Sequence, residues 1–403
     1  MNKIKTTQLK NAAHYSDQRV NCAELKANNF VGTDNLLQNK LGKIEANYTP
    51  NSGFTTSYSM GDILVANIRP YLNKIWYATN NGGSSADVLT LKVNTNYNSK
   101  FVYYSLFRND FFAHVMKGSK GTKMPRGDKN QVLNFLISDF NLPDQQKIAI
   151  VLSALDDKIE LNNKINTNLE MMAKTLYDYW FVQFDFQDEN DKPYKTNGGK
   201  MIWSEELKKK IPEGWEVKSL IDITNVSTES INPFNYPDRE FKHYSIPTFD
   251  QLGTYGIEKG NAIMSNKFTI TKTDVLVSKL NPWFNRVIYS TEENDLISST
   301  EFVIWRSQSI NMKNYLYMIA RDPSFVAYCT NSAAGTSNSH KRVNPTVMMK
   351  YKIAYKKSIA EIFGSKLGPA IKMYAKNQVE NKTLTDLRDW LLPMLMNGQV
   401  TIK

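Results

Sequence analysis

The feature that most constrains the fold of this chain is an internal repeat, which defines an architecture before any single element is considered. Residues 60–77 read MGDILVANIRPYLNKIWY and residues 272–289 read KTDVLVSKLNPWFNRVIY, so Asp62, Pro70 and Tyr77 each recur 212 positions later. Both segments are typical of an apolar strand, a turn that combines proline with an aromatic residue, and a second strand.

The match continues on both sides of these strands with an offset of 214 residues. The pairs are Phe30 with Tyr244, Ser84 with Ser298, Phe101 with Tyr315, Phe111 with Phe325 and Gly121 with Gly335. A length of 403 residues is enough for two or three domains. We therefore predict two copies of one α/β (α+β) domain, at residues 1–141 and 213–357.

Each copy is followed by a long helical segment. The first, residues 142–185, begins with Pro143 at a helix start and is too long for one globular core. Its heptad positions are Leu152, Leu155, Ile159, Asn162, Asn166, Leu169, Ala173 and Leu176. The two asparagines either lie in the apolar seam, where they would fix the register, or face water on an ordinary amphipathic helix.

The second helical segment, residues 358–403, carries a similar stripe. Its members are Met373, Lys376, Glu380, Leu384, Leu387 and Leu391. We predict that the two helices form an antiparallel coiled coil that separates the two domains and relates them by a pseudo-two-fold axis. Residues 186–212 are polar and contain glycine and proline, which indicates a connector.

Composition narrows the classes of partner and compartment. The formal charge of +11 indicates an anionic partner, and residues 1–141 hold 17 basic against 9 acidic side chains. Two cysteines and four scattered histidines exclude a disulfide framework and a metal cluster, so we expect no metal. The sequence has no signal peptide and no apolar stretch of about 18 residues, which predicts a cytoplasmic protein without membrane contact.

Three phrases carry a family resemblance that covers nearly the whole chain. They are LPDQQKIAIVLSALDDKIELNNKIN from residue 142, PEGWEVKSL from residue 212 and LTDLRDWLLPMLMNGQV from residue 384. They resemble the central conserved region, the opening of the second target-recognition domain and the C-terminal conserved helix of type I restriction–modification specificity subunits. The N-terminus lacks the corresponding opening before the first domain.

The resemblance implies a non-catalytic DNA-reading subunit. Each target-recognition domain would read one half of a bipartite, asymmetric sequence in double-stranded DNA, and the coiled coil would set the length of the unread spacer. The helices would dock two methyltransferase subunits, which two motor–nuclease (restriction) subunits can join. S-adenosylmethionine, ATP and Mg²⁺ are expected in those partners, and no cofactor is expected in this chain.

Two other classes of protein compete with this interpretation. In a self-contained methyltransferase, Asn281-Pro282-Trp283-Phe284 would hold a flipped adenine. However, a glycine-rich loop for the methyl donor is absent, and the repeat partner of Asn281 is Arg69. In a nuclease, Glu240-x-Lys242 would form part of a metal-dependent core. Its acidic partner would then lie a strand away, whereas Asp238 lies only two residues before Glu240, so the geometry fails. A coiled-coil scaffold that binds no DNA is the third possibility.

DNA contact is predicted for a glycine-containing loop and a strand-end turn in each copy, because phosphates and base edges are bound mainly by basic and amide side chains. The loop residues are Lys117, Lys120, Thr122, Lys123, Arg126 and Lys129 in the first copy, and Thr336, Ser337, Asn338, His340, Lys341 and Arg342 in the second. The turn residues are Arg69, Asn73 and Lys74, and Lys279, Asn281 and Arg286. The alternatives are solvated basic loops and turn packing.

Partner docking is predicted near the helix ends, where large apolar residues cluster. These residues are Tyr177, Trp180 and Phe181 in the first segment and Leu387, Trp390, Leu391 and Leu395 in the second. Aromatic anchors of this kind suit interface hot spots. Packing against the neighbouring domain explains them equally well.

Overall fold

The computed structural model describes residues 5–121, 123–290, 294–335 and 340–402. Contacts divide the chain into two compact units. Unit 1 comprises Met1–Ile159 and Thr383–Lys403, and unit 2 comprises Glu160–Lys382. Each long helix therefore contributes residues to both units, whereas the domain boundaries drawn from the sequence stay a prediction.

Unit 1 contains two four-stranded sheets and a short strand pair. Its strands are β1 (Thr6–Gln8), β2 (Ala13–Tyr15), β3 (Arg19–Asn21), β4 (Phe30–Val31), β5 (Phe54–Tyr58), β6 (Ile63–Ala66), β7 (Ile75–Tyr77), β8 (Gly82–Ser84), β9 (Val88–Val93) and β10 (Leu136–Ser138). One sheet has the order β2-β9-β6-β7 and the other β3-β5-β8-β4, while β1 pairs with β10. All pairs are antiparallel except β4 with β8.

Helices cover the first of these sheets and close the core of unit 1. They are α1 (Leu9–Ala12), α2 (Ser99–Leu106), α3 (Asn109–Lys117), α4 (Lys129–Leu133) and the first half of α5 (Leu142–Tyr177). Phe101, Phe111 and Leu152 lie in one buried cluster with Ile63 of β6 and Leu91 of β9. Burying several such side chains, each worth about 1.5–3 kcal/mol, stabilises the packing of the helices on the sheet.

Unit 2 repeats this arrangement with extensions. Its strands are β11 (Met201–Ser204), β12 (Lys209–Pro212), β13 (Glu216–Ser219), β14 (Asn225–Ser227), β15 (Ser230–Ile231), β16 (Glu240–Tyr244), β17 (Gly256–Lys259), β18 (Lys267–Thr269), β19 (Asp274–Ser278), β20 (Val287–Tyr289), β21 (Leu296–Ser298), β22 (Phe302–Arg306) and β23 (Lys352–Tyr355). The sheet orders are β14-β22-β19-β20 and β15-β18-β21-β16-β17, with β13 paired to β23. One strand pair of unit 2 is parallel, β16 with β21, and it corresponds to β4 with β8.

The helices of unit 2 are α6 (Leu220–Ile223), α7 (Ile246–Leu252), α8 (Ile310–Arg321), α9 (Pro323–Asn331), α10 (Pro345–Met348) and the first part of α11 (Lys357–Met396). Local sequence sets their boundaries. Asp322 caps α9 by accepting a hydrogen bond from Ser324 N at 2.7 Å, and Pro323 occupies the first helical position. The predicted α/β fold, with two repeated domains and two long antiparallel helices, is confirmed.

The aspartates that repeat in the sequence have one structural role in both units. Asp62 accepts a hydrogen bond from Ser59 N at 2.8 Å, and Asp274 accepts one from Thr271 N at 2.7 Å. Each carboxylate thus satisfies a backbone N–H of the turn that precedes the central strand. A basic residue of the neighbouring strand completes each site: Lys92 of β9 pairs with Asp62, and Arg306 of β22 pairs with Asp274.

The two asparagines of α5 lie in the seam and do not face water. Both Asn162 and Asn166 are buried. The amide of Asn162 donates to Asn381 Oδ1 at 2.9 Å, and the amide of Asn377 donates to Asn166 Oδ1 at 2.9 Å. From Asn162 to Asn166 the residue number rises along α5, while that of the partner on α11 falls from Asn381 to Asn377. The two helices therefore run antiparallel.

The stripe predicted on α11 is partly wrong. Met373 is 51 % exposed and Leu387 is 40 % exposed, and Lys376 also lies on the exposed face. The buried residues are instead Ile371, in the core of unit 2, and Asn377, in the seam beside Asn166. Apolar residues occur on more than one face of this helix, so its own pattern did not identify the face that its neighbours cover.

Residues 186–212, predicted as a connector, are integrated into unit 2. Strands β11 and β12 form a hairpin within this segment. Phe186 and Ile211 are buried in the same cluster as Trp215, and the rings of Phe186 and Trp215 lie 5.1 Å apart. This segment therefore contributes to the core and does not run free over the surface.

Candidate DNA interface

In unit 1 the two segments predicted to contact DNA form one continuous surface. The strand-end turn is joined to the loop by hydrogen bonds from Arg69 N to Pro125 O at 2.8 Å and from Gly127 N to Asn67 O at 3.0 Å. Within the loop, Lys120 and Arg126 exchange backbone hydrogen bonds of 2.9 and 3.0 Å. We call residues 67–74, 117–121 and 123–130 together surface 1.

Unit 2 builds the corresponding surface with the same four backbone bonds. Asn281 N donates to Lys341 O at 2.8 Å, and Val343 N donates to Lys279 O at 3.0 Å. Ala334 and Arg342 exchange hydrogen bonds of 3.0 and 2.9 Å. We call residues 279–286 together with 334–335 and 340–344 surface 2. In both copies the sequence predicted the turn and the loop as separate segments and did not show that they are joined.

The loop of surface 2 is two residues longer than the loop of surface 1. Lys120 and Ala334 are 214 positions apart, whereas Arg126 and Arg342 are 216 apart. The two extra residues lie between Ala334 and Arg342, the positions whose backbones are hydrogen-bonded to each other. The backbone hydrogen bonds are therefore kept while the length of the loop changes. Thr122, Thr336, Ser337 and Asn338, all predicted to contact DNA, lie outside the described residues.

The arginine that closes the loop of each surface is held by a carboxylate. Arg126 Nη2 lies 2.8 Å from Asp87 Oδ1. Arg342 uses two atoms, with Nε 2.9 Å from Glu301 Oε2 and Nη2 3.1 Å from Glu301 Oε1. The hydrogen bond to Glu301 raises the pKa of Arg342 above its ordinary value. Sequence reasoning missed both carboxylates, although their offset of 214 was available as a signal.

The loop lysines of surface 1 are exposed. Among the described residues, the side chains of Lys117 and Lys123 have no hydrogen-bond or ion-pair partner, while Lys129 Nζ lies 5.7 Å from the ring centre of Tyr15. The single acidic residue of the loop, Asp128, is the N-cap of α4. Hydrogen bonds from the backbone of Gln131 and Asn130 lower the pKa of Asp128, so its carboxylate stabilises the helix.

Three more predicted DNA contacts have partners inside the protein. Lys74 Nζ donates to Thr33 O at 2.5 Å, and burial lowers its pKa. Arg286 makes a bidentate pair with Asp250 at 2.6 and 2.7 Å. Asn281 Oδ1 accepts from Lys341 N at 3.0 Å. These side chains support the surfaces from within, and the Asn281 amide that a methyltransferase would direct at a flipped base binds the loop instead.

The remaining turn residues have a conformational role or are open to solvent. Asn73 and Asn285 adopt the left-handed conformation, with φ of 51° and 47°. Asparagine tolerates this conformation better than most residues, which explains its recurrence after the two Pro-aromatic turns. Arg69 is exposed, as is His340, whereas Lys279 and Lys341 are half-buried.

The aromatic residues predicted to dock partners at the end of the first helix lie in the core of unit 2. Tyr177, Trp180 and Phe181 are all buried. The ring of Phe181 lies 4.7 Å from that of Tyr315 and 5.0 Å from that of Phe363. This placement favours packing, the alternative interpretation, over partner docking for these three residues.

The candidate docking residues of the second helix divide between surface and core. Trp390 is 57 % exposed and Leu387 is 40 % exposed. Leu391 is half-buried against the core of unit 1, and Leu395 is fully buried in it. An exposed tryptophan beside an exposed leucine leaves apolar surface in water, which is typical of a protein–protein contact.

The described residues carry neither a metal cluster nor a membrane-spanning helix. In those ranges, no group of three or more His, Cys, Asp or Glu side chains is arranged to hold a metal ion. No helix there combines the length and apolar character needed to cross a bilayer.

Comparison with known proteins places this architecture. The family model described as the type I restriction modification DNA specificity domain matches residues 4–171. The MjaIX specificity subunit of Methanocaldococcus jannaschii is 28% identical, over 76% of this chain and 70% of that protein. The HindI specificity subunit of Haemophilus influenzae is 25% identical, over 92% of this chain and 94% of that protein.

A solved structure has the same fold. The S subunit of a type I restriction–modification system from M. genitalium is 14% identical and aligns over 98% of this chain and 97% of its own, with a TM-score of 0.61. Residues 4–171 match that family, and the chain resembles type I restriction–modification specificity subunits over most of its length, as its sequence phrases predicted.

Proposed function

We propose that the chain reads the two halves of a bipartite, asymmetric DNA sequence, one half with surface 1 and the other with surface 2. The observation that carries the proposal is the pair of loops on one backbone frame with different side chains. Such a frame suits the reading of two unlike half-sites, because the position of each loop is kept while its chemistry changes. The long helices then set the length of the unread spacer.

The side chains on the two surfaces suit the two kinds of DNA contact. Exposed lysines without internal partners, such as Lys117 and Lys123, suit phosphate contacts that supply affinity and no sequence information. Arginines such as Arg126 and Arg342 suit bidentate contact with base edges in the major groove. Each surface therefore offers a group for sequence reading, and surface 1 also offers several groups for non-specific attraction.

We further propose that the chain docks two methyltransferase subunits, which two motor–nuclease subunits can join. Leu387 and Trp390 are the exposed apolar candidates for this contact. S-adenosylmethionine, ATP and Mg²⁺ would be bound by those partners.

DNA binding can be tested with paired charge removals. We expect the double variant Lys117→Ala/Lys123→Ala to reduce the salt dependence of DNA binding by about two units of slope, because each phosphate contact contributes about 0.9. The measurement is a fluorescence titration at several salt concentrations. The control Lys195→Ala/Lys210→Ala removes two exposed lysines of the 186–212 segment and should leave the slope unchanged. Equal slopes for the two double variants would contradict the assignment.

Docking can be tested with Trp390→Ala. We expect this variant to lose co-elution with the methyltransferase subunit on a sizing column, because truncating a hot-spot tryptophan costs at least about 2 kcal/mol of binding. Met373→Ala is the matched control, since Met373 is a large apolar residue of the same helix with similar exposure. Intact assembly of the Trp390 variant would exclude this residue as an anchor.

A further inference from the structure

Two carboxylates outside the predicted sites occupy matching places in the two units. Asp87 immediately precedes β9, and Glu301 immediately precedes β22. They are 214 positions apart, which is the offset of the domain repeat. Each pairs with the arginine whose backbone closes the loop of its surface, Arg126 or Arg342. A carboxylate beside a proposed DNA contact opposes DNA binding by its charge, so its presence in both units calls for a compensating role.

The geometry of the second pair indicates what that role is. A guanidinium group is a rigid planar fork of N–H donors. Glu301 engages the edge formed by Nε and Nη2 of Arg342, at 2.9 and 3.1 Å. The end of the fork, formed by Nη1 and the second N–H of Nη2, is left to donate elsewhere. Two parallel donors of this kind match the O6 and N7 acceptors of guanine in the major groove.

The pair of Arg126 with Asp87 has the same arrangement but fewer contacts. Arg126 contacts Asp87 through Nη2 alone, at 2.8 Å, and its side chain is 60% exposed compared with 45% for Arg342. The backbone of each arginine is fixed by two hydrogen bonds, with Lys120 in unit 1 and Ala334 in unit 2. A side chain held at both ends loses less conformational entropy when it binds, which favours specific contact.

We propose that Asp87 and Glu301 are positioning residues that present Arg126 and Arg342 end-on to one guanine in each half of the DNA target. The proposal rests on the DNA-reading function proposed above and adds the base class that each half-site must contain. The double hydrogen bond makes Glu301 the stricter positioner of the two. The competing role is electrostatic: the carboxylate would only neutralise the arginine and hold the loop.

The two roles predict opposite results for Glu301→Gln. If Glu301 positions Arg342, the variant modifies a degenerate sequence, with discrimination at one guanine of one half-site reduced about tenfold, within the range of a bidentate arginine–guanine contact. The other half-site stays intact. If the carboxylate is only a neutralising group, the variant binds all DNA more tightly and keeps its target sequence.

The experiment uses the full-length chain produced together with its methyltransferase partner in a host whose modified bases are then mapped by sequencing. Glu301→Gln and Asp87→Asn should each relax one guanine position, in different half-sites. Arg342→Lys, which keeps the charge but loses the fork, should relax the same position as Glu301→Gln. Glu206→Gln is the control, since it removes the carboxylate of an exposed ion pair with Lys352 at 2.6 Å and should leave the target unchanged.

Failure of the proposal can be told apart from failure of the proposed function. If the wild-type chain directs modification to no defined sequence, the DNA-reading function itself is wrong. If the wild-type target is defined but contains no guanine in one half, or if Arg342→Lys keeps the full target, the positioning role is wrong. If Glu301→Gln does not fold, Asp87→Asn still separates positioning from neutralisation in the other half-site, and Arg342→Lys still tests whether the guanidinium fork reads the guanine.

Discussion

Surface 1 and surface 2 share their backbone and differ in their side chains. The same four backbone hydrogen bonds join loop and turn in both units, although the second loop is two residues longer. In the described residues, exposed lysines such as Lys117 and Lys123 mark surface 1, whereas His340 and Arg342 mark surface 2. Because main-chain groups fix the position of the loop, its side chains are free to change without loss of the fold.

A second difference lies where the domain helices meet the long helices. In unit 1, Phe107 packs beneath Arg388, whose guanidinium lies 4.6 Å from the ring centre and pairs with Asp156 at 2.7 Å. The residue 214 positions after Phe107 is Arg321, which pairs with Glu170 at 2.6 Å in unit 2. In unit 1 the arginine, Arg388, lies on the long helix α11, whereas in unit 2 the arginine, Arg321, lies on the domain helix α8. The corresponding helix contacts of the two units therefore use different ion pairs.

The largest expected difference between the units concerns the repeated aspartates. Asp274 is fully buried and pairs with Arg306 at 2.9 Å, whereas Asp62 keeps some solvent contact and lies 3.2 Å from Lys92. Asp274→Ala leaves Thr271 N and one edge of the Arg306 guanidinium without their buried partner, although Arg306 keeps Glu229 at 2.7 Å, so the free energy of unfolding should fall by about 3 kcal/mol. Asp62→Ala should cost only about 1 kcal/mol, the value of an ordinary hydrogen bond.

Urea denaturation of the full-length variants measures both losses, and hydrogen exchange assigns each loss to its unit. Asp274→Asn is the control because it keeps the size of the side chain and an oxygen that can accept from Thr271 N. Equal losses for the two alanine variants would mean that burial of the aspartate does not set the difference between the units.

The smallest expected difference is a pH response confined to unit 2. Burial lowers the pKa of His243, although the carboxylate of Glu258, at 2.9 Å from Nδ1, favours the charged ring. The residue 214 positions earlier is Asn29, which does not titrate. Below the ordinary histidine pKa of 6.5, the unfolded chain binds a proton more readily than the folded chain. Unit 2 should therefore lose stability as the pH falls from 7.5 to about 5.5.

Hydrogen exchange of unit 2 peptides across this pH range, corrected for the intrinsic exchange rate, measures the effect. His243→Asn, which installs the residue of unit 1, should remove the response that this histidine contributes. A response that persists unchanged in the variant would assign it to other groups.

The long helices show how far periodicity alone predicts packing. Every heptad position predicted on α5, including Asn162 and Asn166, is buried or half-buried. On α11 the same procedure placed the exposed residues Met373 and Lys376 on the packed face. The covered face of α11 is determined by its neighbours, as at Gly364, where an added Cβ would lie 1.9 Å from Asn311 O of α8.

The candidate interface divides in the same way. The sequence located the loops and turns, because glycine, proline and clustered basic residues are local signals. It did not reveal that Arg286 is engaged by Asp250, or that Lys74 is engaged by Thr33. Nor did it reveal the pairing of Arg342 with Glu301, because the partners lie some forty residues apart in the chain.

By itself, the sequence determined the repeat, the existence of two long helices, the resemblance to specificity subunits and the segments that carry basic charge. These features follow from the order and spacing of residues along the chain. Only the tertiary structure decided which basic side chains remain accessible and which are held from within. That decision depends on contacts between residues far apart in the chain, and one hydrogen-bonded carboxylate is enough to change an exposed arginine into an oriented one.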